Sequence, residues 1–359
     1  MALTQRGVES TAVGDTDGAL ADFDRALAIA AEIGIPPPAR TLRRRGHLRL
    51  RIGDRDGLAD CERAIQAARA AGDAREAAIG SLWYAGQISG IEGYGRALPI
   101  LTDGLDHALT RGLSSMVQLL ESAVALFDVD AGLFDDAVST ARHTLADARA
   151  SGAHAIVAEC LYTLLSVLSL RGTQDELPAL LDELTALNPK YGVDDLWPDL
   201  QAVMAEANLA LGRRDEAAGV IRRVLAEPDA KLTGYVYLVG RFVRVATELG
   251  LSETDAMLDG VNSLYPIDLV ARRWAEALIA ESRGDLAGAV AAYEEATDGY
   301  RALEARPWEA ITRLGHGRSL ASLGRHDEAH EALRAARAIF EDLRATPWIT
   351  ECDSALGVT

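Results

Sequence analysis

Lysine is almost missing from this sequence: of its 36 basic residues, only Lys190 and Lys231 are lysines. A phosphate-binding loop needs a glycine-rich turn that ends in lysine and a hydroxyl. Lys190 follows Asn188-Pro189 and Lys231 follows Asp229-Ala230, so ATP hydrolysis by this chain alone is not expected. Aromatic residues are also scarce, at 5%, and strand-rich folds draw on aromatics and β-branched residues. Positive charge is outweighed, with a formal net charge of -18. Such a field repels nucleic-acid phosphate and anionic lipid, which argues against a direct nucleic-acid or membrane role. Cys61, Cys160 and Cys352 are few, far apart and without a C-x-x-C pairing. They read as small core residues in a reducing compartment, with neither a disulfide framework nor a thiolate zinc site. Met1 to Asp15 has no basic stretch followed by an apolar run, and the most apolar stretch, Glu159 to Leu170, is short and interrupted. A cytoplasmic protein is expected.

What the chain does have is alanine, leucine and a repeat. A turn signal, glycine followed by polar residues and then alanine at the fifth position, recurs as Gly14 to Ala19, Gly132 to Ala137, Gly212 to Ala217, Gly284 to Ala289 and Gly324 to Ala329. Weaker copies fall at Gly53, Gly93, Gly172 and Gly250, so that successive copies lie 34 to 40 residues apart. Each glycine separates two apolar periodic segments, as where one helix ends on a left-handed residue and the next begins at once. The acidic residues that follow would sit at the second helix's N-terminus, where the helix dipole favours them. One repeat is therefore one helical hairpin. Within it, small residues let the helices approach and larger ones fill the seam: Gly317, Ala329 and Ala336 with Leu320 and Leu333, and, in the first repeat, Gly7, Ala19 and Ala26 with Phe23.

These small and large positions resemble the tetratricopeptide consensus, in a long version of about 40 residues. The resemblance implies an all-α, right-handed α-solenoid of about nine antiparallel helix pairs, a single domain over residues 1–359. Thr346-Pro347-Trp348 would open a final capping helix with proline at its first turn. The chain departs from the consensus where Leu177 replaces alanine, where Asn208 replaces an aromatic or aliphatic residue, and at the irregular turn Gly250 to Ala256. An irregular seam is expected at 228–265, and connections between repeats at 34–38, 188–195 and 227–231. The segment from Ala305 to Ile349 resembles the closing repeats of actinobacterial signalling regulators, in which a nucleotide cyclase or a helix-turn-helix is joined to an ATPase and a repeat array. That resemblance implies a sensor or scaffold and no cyclase or ATPase activity of its own. Counting back from Gly14, the first helix would begin at about Met1 with no cap before it; a removed neighbouring domain is expected there, the alternative being a natural short form that pairs with something.

No catalytic, cofactor or metal site emerges from the sequence. Asp327-Glu328-Ala329-His330 spells a helicase box, yet its alignment with Asp215-Glu216-Ala217 makes it a turn and cap. His326 and His330 are spaced to share a metal face but lack a third ligand. Gly93-Tyr-Gly95 and Gly315-His-Gly317 begin like a dinucleotide fingerprint without its third glycine or preceding strand.

In the tetratricopeptide family the first helices line the concave side. Counting ten and six residues back from the turn glycines places Arg43, His47, Trp83, Gln87, Tyr162, Glu206, Arg244, Trp274 and Arg318 there. Arg51 joins them through the run Arg43-Arg44-Arg45, Arg49, Arg51, a concentrated basic patch suited to an acidic peptide or carboxylate. Trp308 and Trp348, each after a proline, read as packing staples. The expected function is a non-catalytic scaffold or sensor that binds a protein or peptide partner. Two alternatives stand beside it: a receptor for a small-molecule signal, and an array that restrains an attached ATPase or cyclase.

Overall fold

The computed structural model describes residues 2–187, 197–226, 236–258 and 264–358. Both lysines, the connections expected at 188–195 and 227–231, and the parts 228–235 and 259–263 of the seam expected at 228–265 lie outside them. The described residues form helices without a strand. In chain order these are α1 (Ala2–Ala12), α2 (Thr16–Glu32), α3 (Ala39–Arg51), α4 (Gly57–Ala70), α5 (Ala74–Glu92), α6 (Tyr94–Thr110), α7 (Ser114–Ala131), α8 (Phe134–Ser151) and α9 (His154–Arg171). They continue with α10 (Leu177–Ala186), α11 (Trp197–Ala210), α12 (Arg214–Ala226), α13 (Val239–Leu249), α14 (Pro266–Ser282), α15 (Leu286–Ala302), α16 (Arg306–Ser322), α17 (His326–Leu343) and α18 (Thr346–Leu356).

All nine glycines of the repeat signal fall at helix ends with positive φ, between 70° and 98°. At Gly324 the reason is plain: the chain must reverse at once between α16 and α17, and φ of 76° is open to glycine at little cost. At several of these bends the acidic residues stand where the dipole argument places them. Asp15 accepts from the Gly18 amide and Asp285 from the Gly288 amide, each at 3.0 Å, and Asp327 and Glu328 occupy the first turn of α17. A side chain at Gly317 would bring its Cβ to 2.6 Å from Leu333, so the close seam between α16 and α17 depends on that glycine. Pro347 lies in the first turn of α18. In the seventh pair the second member is a short 3-10 helix, Ser252–Met257, where the turn sequence was irregular.

Packing divides the chain into two compact units, Met1–Val124 and Ala125–Thr359. In the first, successive helices pack in hairpins, and the first helices of neighbouring hairpins also touch. Phe23 of α2 sits against Gly7 of α1 and forms a core with Ala19 and Leu48. Thr4 of α1 and Thr41 of α3 share a buried hydrogen bond of 2.7 Å.

The second unit curls until its last helices meet its early ones. Arg171 Nε, at the end of α9, donates to the Leu343 carbonyl at 3.1 Å, and Gly172 lies against Pro347. Trp308 Nε1 of α16 donates to Asp130 at 2.7 Å. Within this unit α9 is long and apolar enough, by length and composition, to cross a membrane, but 67% of it is buried among its neighbours. It is the unit's core helix, six residues longer than the apolar stretch evident in the sequence.

Candidate functional site

The interior of the second unit is built around charge. Arg241 of α13 is 4% exposed and Glu206 of α11 is 8% exposed. They form an ion pair, and Arg241 Nη1 also donates to the Tyr162 hydroxyl of α9 at 2.6 Å. Arg244, one turn further along α13, reaches Glu206 at 3.1 Å and Glu248 at 2.8 Å. Burial alone would push the Glu206 carboxyl up and both guanidinium groups down, but Glu206 remains below the usual carboxylate range because two arginines face it. Taking such ions out of water costs several kcal/mol each, so the group holds only while every member is present. Aromatic faces complete it. The Arg241 guanidinium lies 4.8 Å from the Trp308 ring centre and that of Arg244 lies 5.5 Å from Trp348, within cation–π range.

Beside this network lies a cavity of about 330 Å³, at the small end of ligand-sized pockets. Helices α13, α14, α16 and α18 supply its principal walls. Leu278, Ile311 and Leu314 give it apolar surface, Trp274 and Trp348 give it aromatic surface, and Arg244, Arg318, Glu248, Glu281 and Glu351 give it charge. Arg318 pairs with Glu351 and lies 3.5 Å from Glu281, whose carboxylate accepts from the Tyr293 hydroxyl at 2.6 Å. Two donors at the cavity, the Trp274 indole nitrogen and Arg244 Nε, are buried without a hydrogen-bond partner among the described residues. Buried donors in that state cost on the order of 1 to 3 kcal/mol and mark a place where an acceptor belongs.

The first unit holds a different arrangement. Arg43 of α3 is buried and paired with Glu76 of α5 at 2.6 Å. The guanidinium groups of Arg43 and Arg44 each lie 5.4 Å from the Trp83 ring centre, and His47 meets that ring edge-on at 4.7 Å. Burial, with Arg51, Arg44 and Arg43 nearby, lowers the His47 imidazole to about 4. The run of arginines is split by the helix. Arg45 and Arg49 turn to Asp60, Asp24, Asp54 and Asp56, leaving Arg51 exposed at the end of α3.

The ten residues chosen from the sequence therefore gather in two places. Arg43, His47 and Trp83 touch in the first unit, with Arg51 on the same helix as the arginines and half-buried Gln87 one turn beyond Trp83. Tyr162, Glu206 and Arg244 join in the network of the second, and Arg244, Trp274 and Arg318 line its cavity. Sequence counting missed Arg241, because stepping back ten from Gly250 lands on Gly240, whose lack of a side chain admits the Trp274 ring. It also missed what Trp308 and Trp348 do. Their Pro-Trp pairs, 40 residues apart, set one ring on each arginine of α13, and that recurrence was the available signal.

Cys61, Cys160 and Cys352 are buried and unbridged, and burial pushes the thiols of Cys61 and Cys352 up to about 12. Among the described residues no three His, Cys, Asp or Glu side chains group as metal ligands would. Glu328 is engaged by Arg325 at the start of α17. No family model matches this chain, and no curated protein matches it.

Proposed function

We propose that the chain is a non-catalytic binding module of tetratricopeptide type, a right-handed array of about nine helix pairs serving as the scaffold or sensor of a larger signalling or transcriptional regulator. Its partner is a protein or peptide that places a short stretch in the cavity of Ala125–Thr359. The observation that carries this reading is the cavity's lining: two tryptophans, apolar side chains and opposed charges, with the Trp274 indole nitrogen and Arg244 Nε unpartnered among the described residues. A peptide brings carbonyl acceptors for those donors and side chains for the apolar wall. The carboxylates of the cavity are already engaged by Arg318, Arg244 and Tyr293, an arrangement suited to holding a ligand more than to transferring protons. The volume, about 330 Å³, also favours a second reading, a small-molecule signal received in the same cavity.

The test is a selection of random peptides on the full chain, followed by binding to Trp348→Ala and Arg318→Gln variants. Selected peptides should lose at least about tenfold in affinity on both variants, the scale of an interface anchor. Peptides indifferent to both substitutions would refute the cavity as the binding site. Small metabolites that bind in a Trp348-dependent way, with no such peptide, would select the second reading.

A further inference from the structure

Arg40, Arg44, His47 and Arg51 are spaced four, three and four apart along α3, so they form one stripe on a single helix face. At 1.5 Å per residue the stripe runs roughly 16 Å, the length of about five residues of extended peptide. Arg43 lies beside it and takes up Glu76. No carboxylate among the described residues pairs with Arg40, Arg44 or Arg51. Arg44 is half-buried all the same, its Nε is buried without a hydrogen-bond partner, and His47 Nδ1 is in the same condition. The charges acting on His47 are all positive, from Arg51, Arg44 and Arg43. A half-buried guanidinium in this place is disfavoured by burial and by the neighbouring Arg43 and Arg40, and Glu76, already taken up by Arg43, offsets this only in part. It becomes favourable when an anion arrives. The chain as a whole carries -18, so general attraction of anions does not account for a site of this sign.

We propose that this stripe on α3, with Trp83 of α5 beside it, binds an extended acidic peptide segment of the partner. The length of the stripe and its succession of separate cations match side-chain carboxylates spaced along a strand better than one compact anion. This inference takes from the proposed function only that a peptide partner exists, and it concerns a different unit from the cavity.

The experiment uses the full chain and a labelled oligoglutamate peptide, followed by fluorescence anisotropy at several salt concentrations. Binding should weaken steeply with salt, because exposed ion pairs are screened. Arg44→Gln and Arg51→Gln should each weaken it by about tenfold, Trp83→Phe by less, and Arg63→Gln, an exposed arginine of α4 outside the stripe, should leave it unchanged. Arg44 carries no ion pair among the described residues, so Arg44→Gln should melt no lower than the parent, which excludes misfolding as the cause. Equal binding by parent and Arg44→Gln, or binding lost equally in Arg63→Gln, would overturn the proposal. Arg44-dependent binding of inorganic phosphate without binding of the peptide would overturn it too. Trp348→Ala should bind oligoglutamate as the parent does, which separates failure here from failure at the cavity.

Discussion

The two units apply the same hairpin to charge in opposite ways. In Ala125–Thr359 the two arginines of α13 are buried and paired: Arg241 has Glu206 and Tyr162, and Arg244 has Glu206 and Glu248. In Met1–Val124, Arg43, Arg45 and Arg49 of α3 have carboxylates, but among the described residues the stripe of Arg40, Arg44 and Arg51 has none, and Arg44 is half-buried all the same. A repeat fixes where first-helix side chains stand. Whether they become core or surface depends on whether the unit curls far enough for its helices to meet. In the second unit Trp308 and Trp348 come round to the arginines of α13. The groove expected from the repeat is there largely filled, down to the cavity.

The largest expected effect comes from breaking the buried network. Glu206→Gln or Arg241→Met alone should cost about 3 to 5 kcal/mol in urea unfolding, because each strands a buried charge. The double variant should recover much of that loss. Single costs below about 1 kcal/mol would mean that the two units treat charge alike.

Acid and base should separate the units next. Burial, helped by Asp136, raises the Asp128 carboxyl to about 7. The unfolded chain ionises near the ordinary carboxylate value, so the contribution of this group is full below that value. It is lost as pH rises toward 7, by a few kcal/mol. Asp128→Asn should abolish that loss and be the more stable form above pH 7. His47 has the opposite sign. Its imidazole is lowered to about 4, so no stability is lost while both states are neutral. As pH falls from the ordinary value toward 4 the unfolded chain takes the proton first, costing roughly 1 to 3 kcal/mol. His47→Gln should flatten the acid limb alone. Chemical denaturation across pH measures both.

Smaller effects sharpen the contrast within α3. Arg43→Gln should cost about 1 to 3 kcal/mol by leaving Glu76 without its buried partner. Arg44→Gln should change stability by less than about 0.5 kcal/mol. Equal costs would show that Arg44 has a structural partner after all.

Much of the fold was legible because it rests on local chemistry. Nine glycines mark nine bends, and after several of them, as at Asp15, Asp285 and Asp327, an acid caps or opens the next helix. Gly7 against Phe23 and Gly317 against Leu333 could be placed by spacing alone. Closure was not legible, since the contacts of Trp308 with Asp130 and of Arg171 with Leu343 join residues 178 and 172 apart, and no periodicity encodes them. The candidate site was legible to the same depth. Register identified Arg244, Trp274 and Arg318, but the carboxylates that balance them, Glu248, Glu281 and Glu351, depend on how four helices converge. The split of the arginine run was legible in principle, because Arg45 and Arg49 repeat at four while Arg40, Arg44 and Arg51 follow another face.

The most direct measurement is a crystal structure of the full chain with a peptide selected on it. The peptide should enter the cavity between Trp274 and Trp348, with a carbonyl or carboxylate oxygen on the Trp274 indole nitrogen or Arg244 Nε. A peptide lying on the second helices α15 and α17, with the cavity donors unchanged, would contradict it.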